Sequence, residues 1–203
     1  MKNKSINERP TVELLEAELK RVKYRQRYAI VLRSTVYTLI TVAAVAVLVA
    51  TLWLPVLQIY GSSMAPTLQD GEIVFSVKTT KLEQGDIIAF YYNNKILVKR
   101  VIAGPGEWVD FTDEVGSVSV NGVLLDEPYL VEKALGDPDI EFPYQVPDGK
   151  YFVMGDHRST SVDSRHSVVG CVAEEQVVGK IIFRVWPWEQ IGGVQSRKSE
   201  ANN

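Results

Sequence analysis

The sequence is poor in the residues that build metal centres and disulfide frameworks. One cysteine, Cys171, in 203 residues excludes an intramolecular disulfide scaffold and a cysteine-built zinc site, and two histidines leave little for an imidazole centre. No metal and no other cofactor is implied. An excess of positive charge is missing too: 22 Lys and Arg face 25 Asp and Glu, a formal net charge of −3, which argues against nucleic acid as a partner. No internal repeat is present. With 46% hydrophobic and 23% charged residues, the chain can bury a core and is not a disordered polyelectrolyte.

Charge is absent altogether between Arg33 and Asp70, and residues 34–57 read STVYTLITVAAVAVLVATLWLPVL. A bilayer core of about 30 Å takes roughly 20 helical residues, so 34–57 is expected to be a transmembrane helix, with Trp53 and Tyr60 as interface anchors near its outer end. A buried core helix is the alternative. A cleaved secretory signal fits less well, because its apolar stretch is about 7–15 residues and starts sooner. Residues 1–33 carry nine basic against four acidic groups. Short basic flanks stay in the cytoplasm, which places the amino terminus inside, a single pass through the cell membrane, and residue 58 onward outside. Within that flank, Thr11 to Arg27 reads as a helix with acids early and bases late, partly a cytosolic continuation of the span.

Beyond residue 70 short apolar runs are cut by turn residues, the pattern of an antiparallel β domain. Asp86–Tyr92 and Lys95–Ile102 flank Asn93-Asn94 as one hairpin, and Ser117–Val120 and Val123–Leu125 flank Asn121-Gly122 as another. The stretch 104–150, through Pro128, Pro138, Pro143 and Pro147, reads as a loop-rich β insertion. Tyr151–Met154 and Lys180–Val185 are further strands, and 193–203 is expected to be a disordered tail. The outer domain is thus 58–192. Trp186 and Trp188 are either core and rim residues or contacts to the lipid interface.

In the strand after Asn94, side chains alternate, so Lys99 shares a face with Leu97 and Val101. A desolvated lysine loses its proton more readily and can act as a general base. Alternation alone leaves an edge-strand lysine reaching for water as the simpler reading. Just past the apolar run, Gly61-Ser62-Ser63-Met64-Ala65-Pro66-Thr67-Leu68 offers hydroxyls in a constrained loop.

Four blocks in order behind the apolar segment resemble the bacterial type I signal peptidases: Ser63-Met64-Ala65-Pro66-Thr67-Leu68; Gly85-Asp86-Ile87-Ile88-Ala89-Phe90; Val98-Lys99-Arg100-Val101-Ile102 with Gly104-Pro105-Gly106-Glu107; and Gly155-Asp156-His157-Arg158 with Ser161-Val162-Asp163-Ser164-Arg165. The resemblance implies a mainly β fold, an antiparallel β-sheet catalytic domain with one amino-terminal transmembrane helix. It also implies removal of signal peptides from exported preproteins, with the lipid bilayer as second partner. Ser63 is then the nucleophile and Lys99 the general base, while Ser62 is a bystander. Ser161 orients the lysine, Asp163 and Arg165 form an ion pair, and Asp156 and Arg158 are its scaffold. The Ser63 N–H is one oxyanion donor. Some members add a serine hydroxyl two residues earlier, where this chain has Gly61, so a Gly61 backbone group or a water is the candidate second donor. Cleavage follows small residues of Ala-x-Ala type, with Ile59, Met64, Leu68, Leu97 and Val98 matching the pocket linings. Ser63 lies six residues past Leu57, close to where a signal peptide emerges from the bilayer.

His157 stands where many members have Asn, which admits a rival Ser-His-Asp hydrolase built on His157 or His166. A sortase-like transpeptidase drafting Cys171, His166 and Arg184 is a second rival, although Val169–Ala173 reads as buried strand. A non-catalytic anchored binding protein would be expected to lack the nucleophile or the base, and both are present. Self-cleaving repressor-type proteases share the Ser-Lys pair but couple it to a DNA-binding segment. Nothing in the sequence specifies an oligomeric state.

Overall fold

A computed structural model describes residues 12–53 and 55–194, without the side chains of 50–53. The first eleven residues, the Trp53 side chain and residues 195–203 lie outside the described residues.

Helix α1 runs unbroken from Val12 to Trp53. The expected basic helix and the apolar span are therefore one helix of 42 residues, about 63 Å long at 1.5 Å per residue. Its end corrects the expected span of 34–57. The apolar run continues to Leu57, but Pro55 cannot extend a helix, and Val56–Gln58 are a strand. Thr35, Thr38 and Thr41 donate their hydroxyl protons to the carbonyls of Val31, Ser34 and Tyr37 at 2.9–3.0 Å, which satisfies these three polar groups within the apolar stretch. Among the described residues α1 is the one helix long and apolar enough to cross a membrane.

The remainder is antiparallel β. Its strands are β1 (Val56–Gln58), β2 (Ile73–Val77), β3 (Ile87–Tyr92), β4 (Lys95–Ala103), β5 (Trp108–Phe111), β6 (Val118–Val120), β7 (Val123–Leu124), β8 (Tyr144–Gln145), β9 (Lys150–Met154), β10 (Val172–Ala173), β11 (Val177–Trp186) and β12 (Gly192–Gly193). One sheet has the order β1-β2-β11-β3-β4-β9-β10, with β12 beside β11; a smaller one has the order β7-β6-β5-β8. Both expected hairpins form where the turn chemistry demands them. Asn93 and Asn94 take φ of 41° and 63°, and Asn121 and Gly122 take 53° and 78°, a left-handed conformation that Asn and Gly tolerate best.

The large sheet is covered on both faces, so β3 and β4 do not alternate between buried and exposed positions. One cluster joins Ile59, Met64, Leu68, Val74, Ile87 and Ile181, and another joins Ile88, Phe90, Val101, Val153 and Val172. The small sheet, lying within the expected insertion, packs Val109, Val118 and Val120 on Ile102, Phe152 and Met154. Residues 193 and 194 do not belong to the expected tail: Gly193 pairs with Phe183, and the Val194 N–H donates to Ile182. Trp186 and Trp188 pack edge to face at 5.9 Å and are 45% and 69% exposed, so neither is a core residue.

Candidate active site

Ser63 sits in the connection between β1 and β2, which folds tightly although it has no regular strand. Ile59 and Glu72 close its neck, Ile59 N–H to Glu72 O at 2.8 Å and Gly71 N–H to Ile59 O at 2.9 Å. Met64 and Leu68, one helical turn apart and joined by a main-chain bond of 2.9 Å, anchor it in the core. Leu68 is 0% exposed and so belongs to the core rather than to the expected pocket lining. Gly61 takes φ of +86°.

Lys99, 36 positions away on β4, brings its Nζ to 2.7 Å from Ser63 Oγ. The side chain is 3% exposed, so it does not reach for water as alternation alone led one to expect. Burial lowers its pKa from the ordinary 10.5 to about 8, with the Asp163 and Asp156 charges opposing that shift and Arg165 assisting it. An amine with this pKa is substantially deprotonated at mildly alkaline pH, and its lone pair can take the Ser63 hydroxyl proton.

The polar segment after β9 wraps around this pair. Asp163 and Arg165 form the expected ion pair, Nε to Oδ1 at 2.9 Å and Nη2 to Oδ2 at 3.0 Å, with both side chains shut from solvent. Burial alone would raise the Asp163 pKa, but the bonds and charge of Arg165 and the Gly155 N–H hold it below the ordinary range. Asp156 receives two bonds from Arg100, at 2.8 and 2.6 Å, and one from the Thr67 hydroxyl, which ties the nucleophile's own turn to β4. Gly155 is pressed against the pair: a Cβ there would lie 2.2 Å from Ser161 Oγ and 2.5 Å from the Ser63 carbonyl oxygen. The Ser63 carbonyl also accepts the His157 N–H at 3.0 Å.

Two expected site interactions differ from the structure. Among the described residues Ser161 makes no hydrogen bond to Lys99; its main chain is held by the N–H to His157 O and the carbonyl to Arg165, and its hydroxyl helps hold down the pKa of Asp163 instead. Gly61 does not offer its N–H to an oxyanion, since that group is bound to Asp70 Oδ1 at 2.7 Å. Among the described residues the Ser63 N–H has no main-chain acceptor. Sequence reasoning missed Asp70, Glu127 and Tyr129, the last two in the proline-rich stretch, where no periodicity or spacing marks them out.

A cleft of about 610 Å³ opens beside Ser63, lined by Ile59, Tyr60, Met64, Leu97 and Val98 among others, so four of the five expected lining residues meet there. The rival constellations are not assembled. Among the described residues neither imidazole is hydrogen-bonded to Ser63: His157 Nδ1 is buried with no partner there, and His166 Nδ1 faces the Asp163 N–H. Cys171 packs against the cluster of Phe152 and Met154 with its thiol pKa pushed up by burial, while Arg184 is paired with Glu72.

Comparison with known proteins identifies the family. A profile of the family described as "Signal peptidase, peptidase S26" matches residues 32–186. The chain is similar to signal peptidase IB of Staphylococcus aureus (strain Mu50 / ATCC 700699), 40% identical over 153 residues, which covers 65% of this chain and 78% of the relative. It is equally similar to signal peptidase I T of Bacillus subtilis (strain 168), 40% identical over 144 residues, covering 64% and 73%. A solved structure of a signal peptidase I from Enterococcus faecalis V583 is 34% identical and covers 49% of this chain and 96% of that one, with a TM-score of 0.43. The profile spans well over half of the sequence, and the chain belongs to the signal peptidase family, peptidase S26, among its type I serine endopeptidases.

Proposed function

We propose that the chain, held in the cell membrane by α1 with its amino terminus in the cytoplasm, removes signal peptides from preproteins on the outer face by a Ser63–Lys99 mechanism. The observation that carries the chemistry is the 2.7 Å approach of Lys99 Nζ to Ser63 Oγ with no imidazole on the serine. Neutral Lys99 takes the Ser63 hydroxyl proton as Oγ attacks the scissile carbonyl carbon. The Ser63 N–H donates to the resulting oxyanion. Collapse breaks the C–N bond, the departing amine takes the proton from the Lys99 ammonium, and the acyl chain stays on Oγ. Lys99 then deprotonates a water that attacks the ester, releasing the signal peptide's carboxylate and Ser63.

Two free strand edges support an extended substrate. β1 ends the large sheet, and β4 from Lys95 to Lys99 pairs only with β3, meeting β9 from Arg100 onward. Both line the cleft, so a peptide laid between them would find main-chain partners on each side. Ile59, Met64, Leu97 and Val98 would favour small apolar side chains, consistent with Ala-x-Ala sites. The basic excess in residues 1–33 supports the orientation.

Cleavage of an Ala-x-Ala preprotein by the full chain in detergent tests this reading. Ser63→Ala is expected to lose roughly 10⁴–10⁶-fold in rate, while a His157→Ala/His166→Ala variant, which removes both imidazoles and keeps the main-chain contact to Ser63, continues to cut. Cleavage that survives Ser63→Ala, or disappears with the two imidazoles, would overturn the assignment.

A further inference from the structure

The stretch between β7 and β8 holds none of the four short motif blocks, yet it closes the back of the site. Three of its parts meet buried cations. The Glu127 carboxylate takes Arg158, Nη1 to Oε2 at 3.2 Å and Nη2 to Oε1 in a closer contact, with both side chains shut from solvent. Tyr129 donates its hydroxyl to Glu127 Oε1 at 2.9 Å and lays its ring 3.9 Å from the Arg100 guanidinium carbon. The carbonyls of Ala134 and Leu135 accept Arg165 Nη1 at 3.3 and 2.6 Å, and the following Gly136 leaves no room for a Cβ, which would sit 2.8 Å from the same nitrogen.

The charges explain why this matters. Behind Lys99 lie three buried cations, Arg100, Arg158 and Arg165, and the buried anions Asp156, Asp163 and Glu127. The set balances only when Glu127 is counted and Lys99 is neutral. A buried guanidinium without a counter-ion recruits whatever carboxylate it can reach. For Arg158 that carboxylate is Asp156, whose charge it already feels, and Asp156 is the group that holds Arg100 and the Thr67 hydroxyl of the nucleophile's turn. Arg158 Nε also donates to the Gly155 carbonyl at 3.1 Å, and Gly155 abuts Ser63 and Ser161.

We infer that Glu127, seated by Tyr129, is a positioning residue of the reaction: it keeps Arg158 on the Gly155 carbonyl and away from Asp156, so that Ser63 stays aimed and the charge around Lys99 stays balanced. This rests on the Ser63–Lys99 reading. The groups that face Lys99 are Ser63 from the β1–β2 connection, and Asp156, Asp163 and Arg165 from the segment after β9. An uncompensated cation added to that set disfavours the Lys99 ammonium.

The test is the pH dependence of preprotein cleavage by the full chain in detergent, with active sites counted by a serine-reactive probe. Glu127→Gln is expected to lower kcat per active site about 10- to 100-fold, the scale of a small misplacement of reacting groups, with KM little changed and the rising limb of the profile moved to lower pH. Glu127→Asp, which keeps the charge but shortens the reach, lowers kcat with the limb where the parent has it. Removing both charges in Glu127→Gln/Arg158→Gln returns the limb to the parental position; should Glu127→Gln not fold, this balanced pair and Glu127→Asp carry the test. A purely structural role predicts fewer active sites with parental kcat and limb, and that result in Glu127→Gln or Glu127→Asp, or a limb that stays displaced in the balanced pair, overturns the inference. Cleavage by the Lys99→Met protein would instead defeat the dyad itself.

Discussion

Replacing Lys99 by methionine is expected to abolish cleavage and to leave a protein more stable than the parent at neutral pH. Methionine keeps most of the apolar length of the side chain and removes an amine that is costly to bury. Lys99 is 3% exposed, and burial lowers its pKa from 10.5 to about 8. Between those two pH values the unfolded chain binds a proton that the folded chain does not, so stability rises with pH across that window, and below about pH 8 the folded state carries the whole penalty. That penalty is roughly 3 kcal/mol by the usual conversion of pKa shifts to free energy. The variant should therefore gain on the order of 1–3 kcal/mol at pH 7, with the advantage gone above about pH 10.5. The Ser63 hydroxyl that loses its partner is partly exposed and can bond water instead. Urea unfolding in detergent, followed by tryptophan fluorescence at several pH values, reads the difference. A variant less stable than the parent at pH 7, or a gain that does not shrink with rising pH, would show that burial is not what lowers the lysine pKa.

The Asp163→Asn variant is the second expected large effect, in the opposite direction. Asp163 and Arg165 are both 0% exposed, and the amide keeps the size of the side chain while removing the charge that Arg165 is buried against. Breaking one side of a buried pair costs about 3–5 kcal/mol, because the remaining ion is left uncompensated. The pH dependence follows from the direction of the Asp163 shift. Its folded pKa lies below the ordinary value, so the carboxylate contributes stability above the unfolded pKa of about 4, and that contribution is lost as pH falls through the folded value. Asp163 is also the charge that most favours the Lys99 ammonium, so in the variant any residual activity should have its rising limb at lower pH. Unfolding at pH 7 and pH 3 checks the first claim; a cost under about 1 kcal/mol at pH 7 would place the pair among those of little net worth.

Much of the fold was legible because it depends on local chemistry. Asn93-Asn94 and Asn121-Gly122 announce their hairpins through the left-handed backbone they tolerate, and the uncharged run announces α1. The end of α1 was misplaced because hydropathy continues through Pro55, where helical geometry does not. β1, β2, β5, β8 and β12 went unassigned: most are two or three residues long, too short to show a period. Alternation failed at β4, where Lys99 and Arg100 are both buried, since a sheet covered on both faces has no exposed side to alternate with.

The site divides in the same way. Ser63 and Lys99 came from the family resemblance, and the structure brings them together from 36 positions apart. The supporting ion pair of Asp163 and Arg165 is local and forms as expected. The Gly61–Asp70 bond, the turn of Ser161 away from Lys99 and the Glu127–Arg158 pair depend on three-dimensional closure of loops, and nothing in the spacing of those residues signals it.

The most direct test of the account is the pH dependence of kcat/KM for preprotein cleavage by the parent protein, which reports the ionisation of the free enzyme's essential base. The account predicts a single rising limb with its midpoint near pH 8, the value to which burial brings Lys99. A midpoint near 6.5, where an ordinary histidine titrates, would contradict it and return the catalytic role to His157 or His166.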